Sequence, residues 1–160
     1  MKVMKFGGTS LGNWERFSQA ADIILAAAHT DKVAAVLSAP ATITNSLLEM
    51  MEKARTGEDY EEVINRIEVL LRNLFDAANT VISEEQRQLL AAILNNQLSF
   101  WRHKADGVAL LGECSETITA AVAVGGEYMS AALMEQIMIA RGRTCAQLDP
   151  ARLFPAYGPT

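Results

Sequence analysis

The stretch Val3-Met4-Lys5-Phe6-Gly7-Gly8-Thr9-Ser10 begins as a short apolar run and stops at a pair of glycines. A second run, Val33-Ala34-Ala35-Val36-Leu37, is bounded by Lys32 and by Ser38-Ala39-Pro40. Short apolar runs closed by turn residues read as fully buried strands of the kind parallel sheets use. Between them Trp14, Phe17, Ala20, Ala21, Ile24 and Leu25 recur at helical spacing. They predict a helix over 13–28, with Asn13 or Ser10 to cap it. Strand, helix and strand make a βαβ unit, whose crossover is expected to be right-handed.

The middle of the chain reads as helical. Thr42 or Thr44 can cap a helix that carries Leu47, Leu48, Met50 and Met51 and ends at Gly57. A second helix places Val63, Ile67, Leu70, Leu71, Leu74 and Ala78 on one face. The acids at its opening, Glu58, Asp59, Glu61 and Glu62, complement the helix dipole and read as solvated structure rather than a metal site. A third helix starts at Ser83, which has capping-box spacing to Gln86, and runs through Leu89, Leu90, Ile93, Leu94, Leu98 and Trp101.

After Thr117 to Val124 come Gly125-Gly126-Glu127 and a helix over 128–140, stopped by Gly142. Its stripe of Met129, Leu133, Met134, Ile137 and Met138 reads as core packing. Residues 144–148 read as a third strand closed by Asp149-Pro150, and 151–160 as a loop. The expected fold class is α/β, a mostly parallel sheet flanked by helices. Three strands are few for a parallel sheet covered on both faces, so the sheet is expected to be unfinished.

Composition narrows the function. A chain of 160 residues is one domain, or one lobe of a larger one. Half of it is hydrophobic and 21% charged, which argues against disorder. Nineteen acids against 14 bases give a net charge of −5, and hence no general attraction to nucleic acid or anionic membrane. The apolar runs, such as 23–28, are too short to span a bilayer, and no signal peptide opens the chain. Cys114 and Cys145 form no C-x-x-C, and His29 and His103 stand alone. No metal site is predicted, and the chain reads as cytoplasmic and reduced.

Three segments can carry chemistry. Lys5-Phe6-Gly7-Gly8-Thr9-Ser10 lies at a strand end ahead of a helix. Paired glycines let backbone approach a ligand and aim N–H groups at it, and Lys5 adds a full charge, so the segment suits a phosphate. It has neither Walker A spacing nor the dinucleotide fingerprint, and a plain Gly-Gly turn beside a surface lysine reads equally well. Ser38-Ala39-Pro40-Ala41-Thr42-Ile43-Thr44 ends the second strand, on the side where open parallel sheets bind ligands. Its hydroxyls also suit turn and cap duty. Glu127, behind two glycines at a helix start, can compensate a dipole, receive an amino group or orient a bound cation, and spacing leaves the three open.

Taken together, Lys-Phe-Gly-Gly-Thr-Ser at 5–10, Val-Leu-Ser-Ala-Pro-Ala-x-Ile-Thr-Asn at 36–45, Leu-Leu-Gly-Glu-Cys at 110–114 and Gly-Glu-x-Met-Ser at 126–130 resemble the aspartokinases of the amino-acid kinase superfamily. The resemblance runs along essentially the whole chain. It is nearest to the N-terminal kinase part of the bifunctional aspartokinase–homoserine dehydrogenases. Kinases acting on glutamate or N-acetylglutamate share the glycine-rich first turn but not the Ser-Ala-Pro-x-x-Ile-Thr combination.

The resemblance implies a three-layer αβα fold and transfer of the ATP γ-phosphoryl group, with Mg²⁺, to the side-chain carboxylate of L-aspartate. It implies that Lys5 contacts the transferred phosphoryl group and that Gly7, Gly8, Thr9 and Ser10 cradle phosphate. Ser38, Thr44 and Glu127 match aspartate-binding positions, and the full-length protein is expected to be a homo-oligomer. The family's Gly-Arg-Gly-Gly-Ser-Asp-like motif and nucleotide-binding half have no counterpart here, nor have its regulatory and dehydrogenase domains. The expectation for residues 1–160 is thus the N-terminal, aspartate-side lobe, inactive alone and without tightly bound ATP. The alternative is a non-catalytic interaction domain derived from the same fold.

Overall fold

The computed structural model describes residues 1–149. Strands β1 (Lys2–Phe6) and β2 (Val33–Leu37) pair in parallel, Lys5 opposite Val36 and Phe6 opposite Leu37. Helix α1 (Trp14–Ala28) joins them, preceded by a 3-10 turn over Gly8–Leu11. Of the two expected caps, Asn13 serves: its Oδ1 accepts from the Arg16 amide at 2.9 Å. Ser10 lies within the 3-10 turn. Helices α2 (Ile43–Thr56), α3 (Glu61–Ala77), α4 (Glu84–Leu111), α5 (Glu116–Ala123) and α6 (Gly125–Ala140) follow.

The helical middle matches the periodicity, with longer elements. The capping box at Ser83 and Gln86 forms, and α4 runs past Trp101 for 28 residues in all before Gly112 turns it at φ +71°. Gly57 ends α2 at φ +77°. The acids ahead of α3 have structural partners: Asp59 Oδ1 accepts the Glu61 amide, and Arg102 donates to Glu61. Tyr60 donates its hydroxyl to Asp106 alongside. Burial first, then this carboxylate, pushes the Tyr60 phenol up to about 12, so it remains a donor at ordinary pH.

Helix α6 begins at Gly125, three residues before the expected start, so Gly125-Gly126-Glu127 is its first turn. It lies along α4. Gly125 abuts the Trp101 ring at one end, and the Gln136 carbonyl accepts from Gln86 Nε2 at 2.8 Å at the other. Gln86 therefore caps α4 and fastens α6 at once. Residues Glu116–Ala140 together make a 25-residue apolar stretch, long enough to cross a membrane by composition, where the sequence showed only short runs. In this fold α6 packs its Met129, Leu133, Ile137 and Met138 into the core.

The third strand does not form over 144–148: among the described residues the sheet has two strands, β1 and β2. A strand persists only if a ladder receives its N–H and C=O groups. Of residues 144–148, Cys145 bonds elsewhere, as do Arg141 and Arg143 just before them. Gly142, at φ +79°, ends α6, and the Arg143 amide returns to the Met138 carbonyl. Arg141 then pairs with Asp22, Arg143 reaches His29 Nδ1 at 2.8 Å, and Cys145 bonds the Glu135 carbonyl. These contacts hold the segment against α1 and α6. The loop expected over 151–160 lies outside the described residues.

One sheet face is covered and one is open. Phe6 is buried, and Met4, Val33 and Leu37 pack on the core beside it. On the opposite face Val3 and Val36 are 65% and 51% exposed, and Lys5 is exposed between them. Parallel sheets are ordinarily covered on both faces, so this is half of a layered arrangement.

Candidate functional site

Three segments meet at the carboxyl ends of the strands, and they meet through the smallest side chains. A Cβ placed on Gly8 would lie 3.1 Å from the Ala39 carbonyl oxygen, and one on Gly12 3.0 Å from Ala41 Cβ. A Cβ on Gly126 would come within 2.7 Å of Ala39 Cβ and 2.9 Å of Ile43 Cγ2. Ala39 thus sits between the first turn and the start of α6. A Cβ at 126 would force Ala39 or Ile43 to shift, and one at 8 would press on the Ala39 carbonyl, which would have to give by a few tenths of an ångström. Gly7 differs: its φ of −78° is ordinary, and a Cβ there would meet nothing within 4 Å. Packing is tight at 8 and leaves the space beside 7 open.

The predicted residues fall around this junction. Lys5 lies on the open sheet face two residues before Gly7 and has no ion-pair partner among the described residues. Most of the other cations do have one: Lys2 faces Asp31, Arg66 faces Glu49 and Arg102 faces Glu61. Ser38 continues β2, its amide donating to the Phe6 carbonyl at 3.0 Å. By strand alternation it follows Val36 onto the face that carries Lys5. Thr44 stands half-buried in the first turn of α2, and Glu127 is exposed in the first turn of α6. Thr9 and Ser10 have backbone duties: the Thr9 carbonyl accepts from Arg16 Nη1, and the Ser10 amide donates to the Gly7 carbonyl.

A groove lies elsewhere. About 560 Å³ opens along α1, lined by Phe6, Ser10, Asn13, Arg16, Gln19 and Ile23. Of the predicted site residues only Ser10 reaches it.

Sequence reasoning named the 38–44 segment and offered Thr42 as a helix cap, but it did not foresee the packing of Gly12, Ala39 and Ala41 or the backbone of Thr42, which stands at the N-cap of α2. The Pro40 carbonyl accepts from the Ile43 amide at 3.1 Å, closing a turn in which Thr42 has φ +75° and ψ −16°. Left-handed backbone is rare for a β-branched residue and is held only when the surroundings impose it. Thr42 makes no side-chain cap bond in return. Nothing in a threonine announces positive φ.

Comparison with known proteins bears on the family and the fold. The amino acid kinase family profile matches residues 1–155. The chain belongs to the amino acid kinase family. It is 32% identical over 158 residues to a bifunctional aspartokinase/homoserine dehydrogenase of Haemophilus influenzae, and 30% over 158 to that of Buchnera aphidicola. In both cases it spans 99% of its own length and 19% of the relative's. Among solved structures it matches aspartokinase III of E. coli in complex with aspartate and ADP, with a TM-score of 0.68 at 27% identity. That match covers 89% of this chain and 29% of the other. The α/β fold with a small parallel sheet is thus a partial amino acid kinase domain, similar to the aspartokinases.

One prediction follows from the turn. Thr42→Gly removes the penalty of left-handed backbone, about 1–3 kcal/mol, and adds some unfolded-chain entropy. The variant should be more stable by about 1 kcal/mol, read as a higher urea midpoint at unchanged slope. An unchanged or lower midpoint would show that the threonine is not strained there.

Proposed function

We propose that this chain carries the aspartate-side half of the phosphoryl-transfer site of an aspartate kinase, which moves the ATP γ-phosphoryl group to the side-chain carboxylate of L-aspartate. The observation that carries the reading is the junction at the strand ends. There Gly8, Ala39 and Gly126 pack in contact, and Gly8 stands three residues after Lys5, which has no ion-pair partner among the described residues. The similarity to an aspartokinase III solved with aspartate and ADP supports it.

In this reading the aspartate carboxylate is already an anion at neutral pH, so no general base is needed. The obstacle is the approach of two anions. Lys5 supplies positive charge where they meet, and the Gly7 and Gly8 amides cradle the terminal phosphate of the nucleotide. Ser38 and Thr44 orient the amino acid, and Glu127 receives its ammonium group. These amide, ammonium and hydroxyl donors suit phosphate. For Mg²⁺, which assists charge neutralisation in such transfers, the described residues bring no three His, Cys, Asp or Glu side chains together. None of the steps above runs through the metal. The chain spans about a fifth of the bifunctional relatives, so turnover belongs to a longer polypeptide.

The test is thermal melting of the chain with L-aspartate, with succinate as the control lacking the ammonium group. At one hundred times its dissociation constant a ligand stabilises by about 2.7 kcal/mol, which raises the melting temperature by about 5–10 °C. Aspartate should shift the melt and succinate should not. No shift at high millimolar aspartate would refute a preformed site. A second reading, partner association, is favoured by the open face at Val3 and Val36. It would be supported instead if melting proved insensitive to aspartate but dependent on protein concentration.

A further inference from the structure

Among the described residues one buried side-chain polar atom has no hydrogen-bond partner, the Oγ of Ser130. Ser130 is 0% exposed. Buried hydroxyls are almost always paired, so an orphan calls for an explanation. Its position supplies one. Helix α6 has two buried faces. Gly125 against Trp101 and Gln136 against Gln86 define the face along α4. Gly126 against Ala39 and Ile43 defines the other, beneath the strap of residues 38–44. Ser130 follows Gly126 by one turn on that second face. In a helix the Cα–Cβ bond tilts toward the N-terminus, so the hydroxyl leans toward Gly126 and the strap.

The strap is the element with strained backbone, at Thr42 with φ +75°. It also carries Ser38 and Thr44. The strained segment touches α6 at Gly126, one turn before an unpaired donor, and one rearrangement can satisfy both. We propose that Ser130 is a positioning residue for the strap. When L-aspartate seats on Ser38 and Thr44, a strap carbonyl accepts the Ser130 hydroxyl and fixes the bound conformation. The proposal rests on the aspartate-side reading above.

The test compares wild type with Ser130→Ala and Ser130→Thr, melted with and without L-aspartate. Deleting an unpaired hydroxyl does not destabilise, so the alanine variant should melt at or above wild type without ligand. It should bind aspartate about 2- to 12-fold more weakly, the loss expected for one hydrogen bond, and threonine should restore binding. If threonine overpacks the site and unfolds the chain, the alanine arm decides. An alanine variant that melts well below wild type without ligand overturns the proposal, because the hydroxyl is then already paired in the free chain. Equal aspartate affinity in wild type and alanine overturns it too, while the aspartate reading stands. A wild type blind to aspartate overturns both.

Discussion

Replacing Lys5 by alanine, in a kinase chain that carries this segment ahead of its nucleotide-binding half, is expected to lower kcat by about 100- to 1,000-fold. The melting temperature should barely move. Lys5 is exposed and has no ion-pair partner among the described residues, so its removal orphans nothing in the fold. Exposed positions of this kind usually change stability by less than about 0.5 kcal/mol. In the proposed reading its charge acts only when two anions are brought together at Gly7 and Gly8, a situation that arises in the reaction and not at rest. A Lys5→Arg variant should recover little, because a planar guanidinium does not replace a compact ammonium at a close contact. Steady-state kinetics beside a melting curve check both halves. Wild-type kcat in the alanine variant would remove Lys5 from the mechanism.

Trp101→Ala is expected to destabilise the chain by about 3–5 kcal/mol, a large share of the roughly 5–15 kcal/mol that holds a domain together. Trp101 is 1% exposed, and its indole Nε1 donates to the Val122 carbonyl at 3.1 Å. That bond links α4 to α5 just before the glycine pair. The ring itself abuts Gly125, so the indole sets where α6 begins. Alanine would open a cavity, strand a buried carbonyl and release the first turn that bears Glu127 and Gly126. Trp101→Phe separates the terms: it keeps much of the apolar bulk and loses the bond, and should cost about 1–3 kcal/mol. Urea titration monitored by circular dichroism measures both. A Trp101→Ala midpoint close to wild type would mean that the α4–α6 contact is not what holds the glycine pair.

Both predictions concern residues whose importance was legible to different degrees. Lys5 was visible from the strand-glycine-glycine pattern, because that pattern puts a charge beside amides that can meet an anion. Trp101 was visible only as one more apolar residue on a helix. That its ring rests on Gly125 depends on the antiparallel placement of α4 and α6, which their separate periodicities do not encode. The third strand shows the opposite limit. Residues 144–148 have strand-like composition, but no ladder receives them, and Arg141, Arg143 and Cys145 find partners on α1 and α6 instead.

Local sequence by itself determined the elements: two apolar runs closed by turns, helices marked by periodicity, a capping box at Ser83, and the glycines that end α2 and α6. These are short-range effects of backbone sterics and side-chain period, so neighbours in the chain are enough to specify them. The tertiary structure alone decided that Gly8, Ala39 and Gly126 touch, that Thr42 is held at positive φ, and that Ser130 is buried without a partner. Those facts arise from close packing between segments distant in the chain, where the space left by one side chain is set by others that no local pattern can name.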